Sequence, residues 1–260
     1  MLRGKTIKDK LHNGELLVQA HLRLPAPEVA ELLAIKGVDL IIIDNEHYPF
    51  DPQTMIDIIR AANVGGAACA VRLPNIEPAR IGQVLDYGAE GIVMPSCPSY
   101  EAARALVDAV KFAPVGHRGF CPITRAAAYG HGMTPTEYAE LSNENTLCMI
   151  QIETKEGVED IDRILSIPEI DVISIGPSDL SASYGYPGQY DHPVVTGAMQ
   201  TVRKKSGERL RGSMHHTVGE IAAAYTAGER NLSIGSDQQI LMNSIKKMLG
   251  AVREWQSEHK

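Results

Sequence analysis

The residues best able to carry chemistry in this chain stand where short apolar runs end. LIIID closes on Asp44 and is followed by Asn45, Glu46 and His47, while AACAVR closes on Arg72. LCMIQIE carries Gln151 and Glu153, VISIG runs into Gly176-Pro177-Ser178-Asp179, and LRGSM is followed by His215 and His216. Glu153 and Asp179 are two carboxylates of the kind that hold a hard divalent ion such as Mg2+ or Mn2+ and leave positions open for water and substrate oxygens. Spacing alone equally allows the pair to be salt-bridged to loop arginines. His47 suits proton transfer near neutral pH, and Asp44, three residues earlier, could fix its tautomer. The alternative is an ordinary surface-loop histidine. Arg72 can place a positive charge where an oxygen becomes negative, or can pair with Asp86 to brace the fold.

Two other chemistries find less support. A Schiff-base mechanism needs a desolvated lysine on a strand, and none of the apolar runs contains one. Lys155, beside Glu156, reads as a solvated residue at a helix start. The Gly176-Pro177-Ser178 turn could present main-chain N–H groups to an anion at a helix N-terminus. It lacks the GxxxxGK[ST] pattern, so a substrate carboxylate fits it as well as a phosphate does.

The elements that must position these groups alternate. Eight short runs, at 16–22, 40–44, 67–72, 91–95, 147–153, 172–176, 210–214 and 232–235, are continuously apolar or β-branched, as expected of parallel strands buried on both faces. Stretches of helical period lie between them, among them PEVAELLAI, PQTMIDIIRAA, EGVEDIDRILS and DQQILMNSIKKML. Prolines near several of their starts suit a first helical turn, and Gly88 and Gly228 fall where helices should stop. Eight strand–helix units predict a (β/α)8 TIM barrel formed as a single domain over residues 1–260, with active-site residues at the strand C-termini. An open doubly wound sheet is the structural rival, but no GxGxxG follows any strand. The connection from Ala113 to about Asn145 is the longest and carries Arg118 and Arg125. It reads as a brace between subunits or as a grip on the far end of a substrate.

Bulk properties narrow the partners. The 260 residues are 44% hydrophobic and 22% charged, with a net charge of −7. An acidic chain without a basic run repels nucleic-acid phosphates. No stretch approaches a membrane span or a signal peptide. Cys69, Cys97, Cys121 and Cys148 form no CxxC pair and suit free thiols in a cytoplasmic protein.

Taken together, LIIIDNEHYPFD, AVRLPN with IGQVLDYGAEGIVMP, HRGF with TRAAAYG, LCMIQIETKEGVEDID and ISIGPSDLSASYG resemble the class II, metal-dependent pyruvate aldolases, which include 4-hydroxy-2-oxo-heptanedioate and 2-dehydro-3-deoxyglucarate aldolases. The resemblance covers nearly the whole chain. It implies a (β/α)8 barrel assembled as a hexamer, a trimer of dimers, with the C-terminal helix exchanged between subunits. It also implies a divalent ion (Mg2+, Mn2+ or Co2+) on Glu153 and Asp179. Arg72 would meet the keto oxygen of a 2-oxo acid, and His47, supported by Asp44, would be the acid/base group. Gln151 would line the substrate site, main chain around Gly176 to Asp179 would hold the substrate carboxylate, and Asp86 would join a polar network across the subunit contact. The implied reaction is reversible cleavage of a 4-hydroxy-2-oxo acid to pyruvate and an aldehyde. Rivals on the same site are oxaloacetate decarboxylation, enolate addition or acyl-CoA carbon–carbon cleavage. A further one is a non-catalytic subunit that only binds a 2-oxo acid. Asn45 and Tyr48 depart from the pattern beside the proposed base, and His215 and His216 depart from it after the seventh strand.

Overall fold

The computed structural model describes residues 4–209, 213–214 and 217–259. The chain begins with α1 (Gly4–His12) and β1 (Leu17–Leu22), then α2 (Pro27–Ile35), β2 (Leu40–Asp44), α3 (Pro52–Gly65) and β3 (Ala68–Arg72). It continues through α4 (Pro78–Asp86), β4 (Gly91–Met94), α5 (Tyr100–Val110), α6 (Pro135–Asn145) and β5 (Leu147–Ile152). Next come α7 (Lys155–Glu159), α8 (Ile161–Leu165), β6 (Ile170–Ile175), α9 (Pro177–Ser183) and α10 (Pro193–Ser206). The last elements are β7 (Ser213–Met214), α11 (Val218–Thr226), β8 (Asn231–Ser236) and α12 (Asp237–Glu258).

All recorded strand pairs are parallel, in the order β6-β5-β4-β3-β2-β1-β8-β7. Neighbours in the sheet are therefore neighbours in sequence, with β8 closing onto β1, as in a TIM-barrel-like α/β fold. Among the described residues β6 and β7 do not pair. The expected seventh strand at 210–214 is seen only at Ser213–Met214. Leu210 to Gly212, like His215 and His216, lie outside the described residues.

Alternation along the strands sorts the apolar residues into two sets. Ala20, Leu22, Ile41, Ile43, Cys69, Val71, Cys148 and Ile150 face the helices and build the larger core with them. Leu17, Leu40, Ile42, Ala68, Ala70, Val93, Leu147 and Met149 point the other way, into the barrel. Ile7 and Leu11 of α1 join this inner set at 3% and 5% exposure, against the first residues of β1, β2 and β5. They plug the N-terminal end of the barrel, opposite the strand ends where the polar groups gather. Lys8 and Lys10 pin the helix there through Asp171 at 2.9 Å and Asp39 at 2.6 Å.

The local signals act as their chemistry requires. Pro27, Pro52, Pro78, Pro135, Pro177 and Pro193 each open a helix, where the missing N–H costs nothing. Gly88 takes φ +102 just past α4, a conformation other residues adopt at a cost. EGVEDIDRILS differs from expectation. It is broken at Asp160, whose carboxylate accepts from Tyr100 N at 2.7 Å, so α7 and α8 are separate.

Candidate active site

The strand C-termini surround a cavity of about 550 Å3, lined among others by His47, Arg72, Gln151, Glu153 and Asp179. At its wall Asp44 and Arg72 are partners in register on β2 and β3. Arg72 Nε donates to Asp44 Oδ1 at 3.1 Å and Nη2 to Oδ2 at 2.6 Å, a two-point contact that fixes the guanidinium plane. Nη1 donates to Gln151 Oε1 at 3.2 Å and lies 3.1 Å from Glu46 Oε2. Asp44 is fully buried and also meets Arg23 Nε at 3.3 Å. Burial alone would raise its pKa, but the hydrogen bonds and charge of Arg72 outweigh that and hold it below the ordinary carboxylate range.

Glu153 sits one residue past β5 and is 2% exposed. Its Oε1 accepts from Ser96 N at 2.7 Å and Ser96 Oγ at 3.2 Å. Ser96 holds φ +47, a left-handed conformation unusual for a residue with a side chain, and this turns its N–H toward the carboxylate. Opposite lies Gly176, where a Cβ would fall 1.8 Å from Glu153 Oε2. Burial raises the pKa of Glu153, and the negative charges of Asp179 and Glu46 raise it further against the opposing Ser96 hydrogen bond. A desolvated carboxylate such as Glu153, with the exposed Asp179 and the partly buried Glu46 adding negative charge nearby, favours either a proton or a cation. Glu153 and Asp179 could therefore hold a hard divalent ion through oxygen ligands. No group of three or more His, Cys, Asp or Glu with metal-binding geometry occurs among the described residues, so water and substrate oxygens would complete such a shell.

His47 lines the same cavity with 55% of its side chain exposed, and its Nε2 lies 3.6 Å from Glu46 Oε2. Asp44 reaches it only through the main chain, accepting from His47 N at 3.5 Å. The expected contact of Asp44 with the imidazole is not made, because both carboxylate oxygens are already turned onto Arg72. The two unusual residues beside His47 have structural partners. Asn45 Oδ1 accepts from Phe50 N at 3.1 Å and closes the loop, while Tyr48 OH donates to Gln238 Oε1 at 3.2 Å. Across the cavity, Ser178 and Asp179 fall in the first turn of α9, where main-chain N–H groups have no intrahelical acceptor. Ser178 Oγ lies 3.2 Å from Tyr190 OH, which also lines the cavity.

Three residues singled out from the sequence are not brought to this cavity by the chain itself. Asp86, at the end of α4, pairs with Arg118 Nη2 at 2.7 Å instead of with Arg72. Arg118 also lies over the Phe112 ring, 4.5 Å from its centroid. Arg125 Nη1 donates to Asn63 Oδ1 at 3.0 Å and Tyr87 O at 2.9 Å. Both arginines brace the long connection within one chain. Conversely, the structure adds Gln19, His21 and Arg23 of the β1 segment to the cavity wall, along with the Ser96 donor. Burial, then the charges of Arg72 and Arg23, push the His21 pKa down to about 4.

A hydroxypyruvate/pyruvate aldolase of Roseobacter denitrificans is 32% identical over 246 residues, 94% of this chain and 95% of that protein. The crystal structure of an HpcH/HpaI aldolase from Desulfitobacterium hafniense superposes with a TM-score of 0.87 at 28% identity, covering 95% of this chain and 96% of that one. Citrate synthase SbnG superposes with a TM-score of 0.85 at 26% identity, covering 96% and 98%. The sequence profile of the HpcH/HpaI aldolase/citrate lyase family matches residues 20–244. The chain belongs to the HpcH/HpaI aldolase/citrate lyase family of carbon–carbon-bond enzymes.

Proposed function

We propose that this protein catalyses the reversible aldol cleavage of a 4-hydroxy-2-oxo acid to pyruvate and an aldehyde, using Mg2+, Mn2+ or Co2+ held by Glu153 and Asp179. The observation that carries this reading is the rigid Arg72, aimed by Asp44 and Gln151 into the cavity that Glu153, Asp179 and His47 also line. A divalent ion at the carboxylate pair would supply positive charge to the electrons that cleavage leaves on the 2-oxo acid. The keto oxygen lies toward Arg72, whose guanidinium stabilises the same developing charge. Preorganised donors of this type are worth about 10²–10³ in rate. Ser178 and Asp179 N–H groups receive the substrate carboxylate. His47, exposed enough to reach the substrate, removes the C4 hydroxyl proton as the C3–C4 bond breaks. Gln151 holds Arg72 on the side away from Asp44.

The same proposal includes a closed single-domain barrel over residues 1–260 and assembly as a hexamer, a trimer of dimers, with α12 exchanged between copies. Support for assembly comes from α12 itself, which carries Leu241, Ile245, Met248 and Trp255 at 52%, 44%, 71% and 61% exposure at helical spacing along one face. A cytoplasmic location is supported by four cysteines without disulfides. No helix among the described residues is long and apolar enough to cross a membrane.

Exchange of the pyruvate methyl protons in D2O tests the reading without knowledge of the aldehyde. With Mn2+ or Mg2+ the protein should exchange them, and chelator or Glu153→Ala should abolish exchange. No exchange with any divalent ion would overturn pyruvate as the nucleophile. Exchange without cleavage of any 4-hydroxy-2-oxo acid would move the chain toward enolate addition or decarboxylation.

A further inference from the structure

Most of the cavity floor is aliphatic: Ile42, Val93 and Met149 line it from β2, β4 and β5. β1 breaks the pattern. Gln19 and His21 are two residues apart, so they share the inward face of the strand, and both line the cavity. Gln19 is 4% exposed, and its Oε1 has no hydrogen-bond partner. His21 Nδ1 is likewise shielded from solvent and without a partner. Buried polar atoms are nearly always paired in folded proteins, and two unpaired ones facing one cavity indicate a group that the protein receives there.

The chemistry of that group follows from the pair. His21 lies close to Arg72 and Arg23, and its burial keeps the ring uncharged at neutral pH. It is therefore a neutral hydrogen-bonding ring beside a neutral amide, and the nearby guanidiniums of Arg72 and Arg23 are already paired with Asp44. A methyl group would leave both atoms unpaired. A hydroxyl can donate to one and accept from the other. We infer that Gln19 and His21 form a hydroxyl-binding subsite, so that the preferred substrate carries a hydroxyl on the carbon seated against β1. The inference rests on the aldolase reading above. The hydroxyl belongs either to C3 of the 2-oxo acid or to the carbon next to the aldehyde carbonyl.

Four aldol additions separate these sources: pyruvate or hydroxypyruvate as nucleophile, each with acetaldehyde or glycolaldehyde as acceptor. The wild-type protein should favour the hydroxyl-bearing member of one pair by roughly ten- to a hundredfold in kcat/KM. Preference within the nucleophile pair places the hydroxyl on C3, and preference within the acceptor pair places it on the aldehyde. Gln19→Met and His21→Leu should erase the preference by slowing the hydroxyl-bearing substrate while leaving its partner within about threefold. His21→Asn, which keeps a hydrogen-bonding group, should retain more of it. The absence of preference in both pairs overturns the subsite on wild-type protein alone, and so does a preference that survives both apolar variants. Absence of both proton exchange and turnover overturns the aldolase reading and this inference with it, whereas exchange without hydroxyl preference overturns this inference only.

Discussion

Replacing Asp44 with Asn tests whether the Asp44–Arg72 pair is what holds the cavity wall in place. The substitution keeps shape and one acceptor oxygen but removes the charge that receives Arg72 Nε at 3.1 Å and Nη2 at 2.6 Å. Asp44 is fully buried and the Arg72 side chain is 8% exposed, so water cannot replace the lost partner. Stranding one member of a buried ion pair costs roughly 3–5 kcal/mol. Glu46, 3.1 Å from Arg72 Nη1, recovers part of this, and Arg23, at 26% side-chain exposure, loses a pair worth only about 0–1 kcal/mol. The expected destabilisation is therefore about 3 kcal/mol, read by urea unfolding at fixed protein concentration. Because the pKa of Asp44 is depressed in the folded state, its contribution is fully present above its ordinary carboxylate pKa and is lost as pH falls through the lower folded value, so a neutral buffer reads all of it. A cycle with Arg72→Met should give a coupling energy of at least about 2 kcal/mol. A cost below about 1 kcal/mol for Asp44→Asn, or energies that simply add in the double variant, would refute the argument.

Three further outcomes follow from the same structure. Gly176→Ala introduces a Cβ only 1.8 Å from Glu153 Oε2 and must displace that carboxylate; Mn2+ affinity measured by electron paramagnetic resonance should fall at least about tenfold, as for a displaced ligand or its support. His21→Phe removes a ring whose pKa drops from 6.5 to about 4 on folding. The unfolded chain takes up that proton first, so wild-type stability should decline by about 3 kcal/mol relative to the variant between pH 6.5 and pH 4 and then level off; parallel stability curves would contradict this. Met248→Glu combined with Trp255→Glu places charges in the exposed row of α12, and light scattering should show a smaller species than the wild-type oligomer. A monomeric wild type would remove the assembly proposal altogether.

Much of this architecture is written in local sequence, and the departures show where locality fails. LIIID and LCMIQI form strands because continuous apolar runs can only be buried on both faces, and Gly88 ends α4 as its type requires. α1 has no comparable local signal, because GKTIKDKLH is mostly polar and only Ile7 and Leu11, one helical turn apart, mark a buried side. The clustering of Arg72, Gln151, Glu153 and Asp179 was foreseeable once their strands were recognised, because each stands at or just beyond a strand's C-terminal end. The partner of Asp44 was not. His47 is three residues away in sequence, but β2–β3 register puts Arg72 beside Asp44 from 28 residues away. Gln19 and His21 were visible as polar residues in LVQAHL, yet nothing in the run says which of its two buried faces looks into the cavity. Ser96 gave still less warning, since its role depends on a backbone conformation its side chain does not encode.

The division of apolar residues into an inner and an outer set bears on how such a barrel changes over time. Ile42, Val93 and Met149, which shape the cavity floor, all belong to the inner cluster and none to the one that joins sheet to helices. A lineage can therefore retailor the size and contour of the space offered to new acceptors while the helix-packed shell, which carries most of the buried aliphatic mass, stays untouched. Novelty and endurance draw largely on separate residues, and a library confined to those three positions would explore substrate range while leaving the helix-packed core intact.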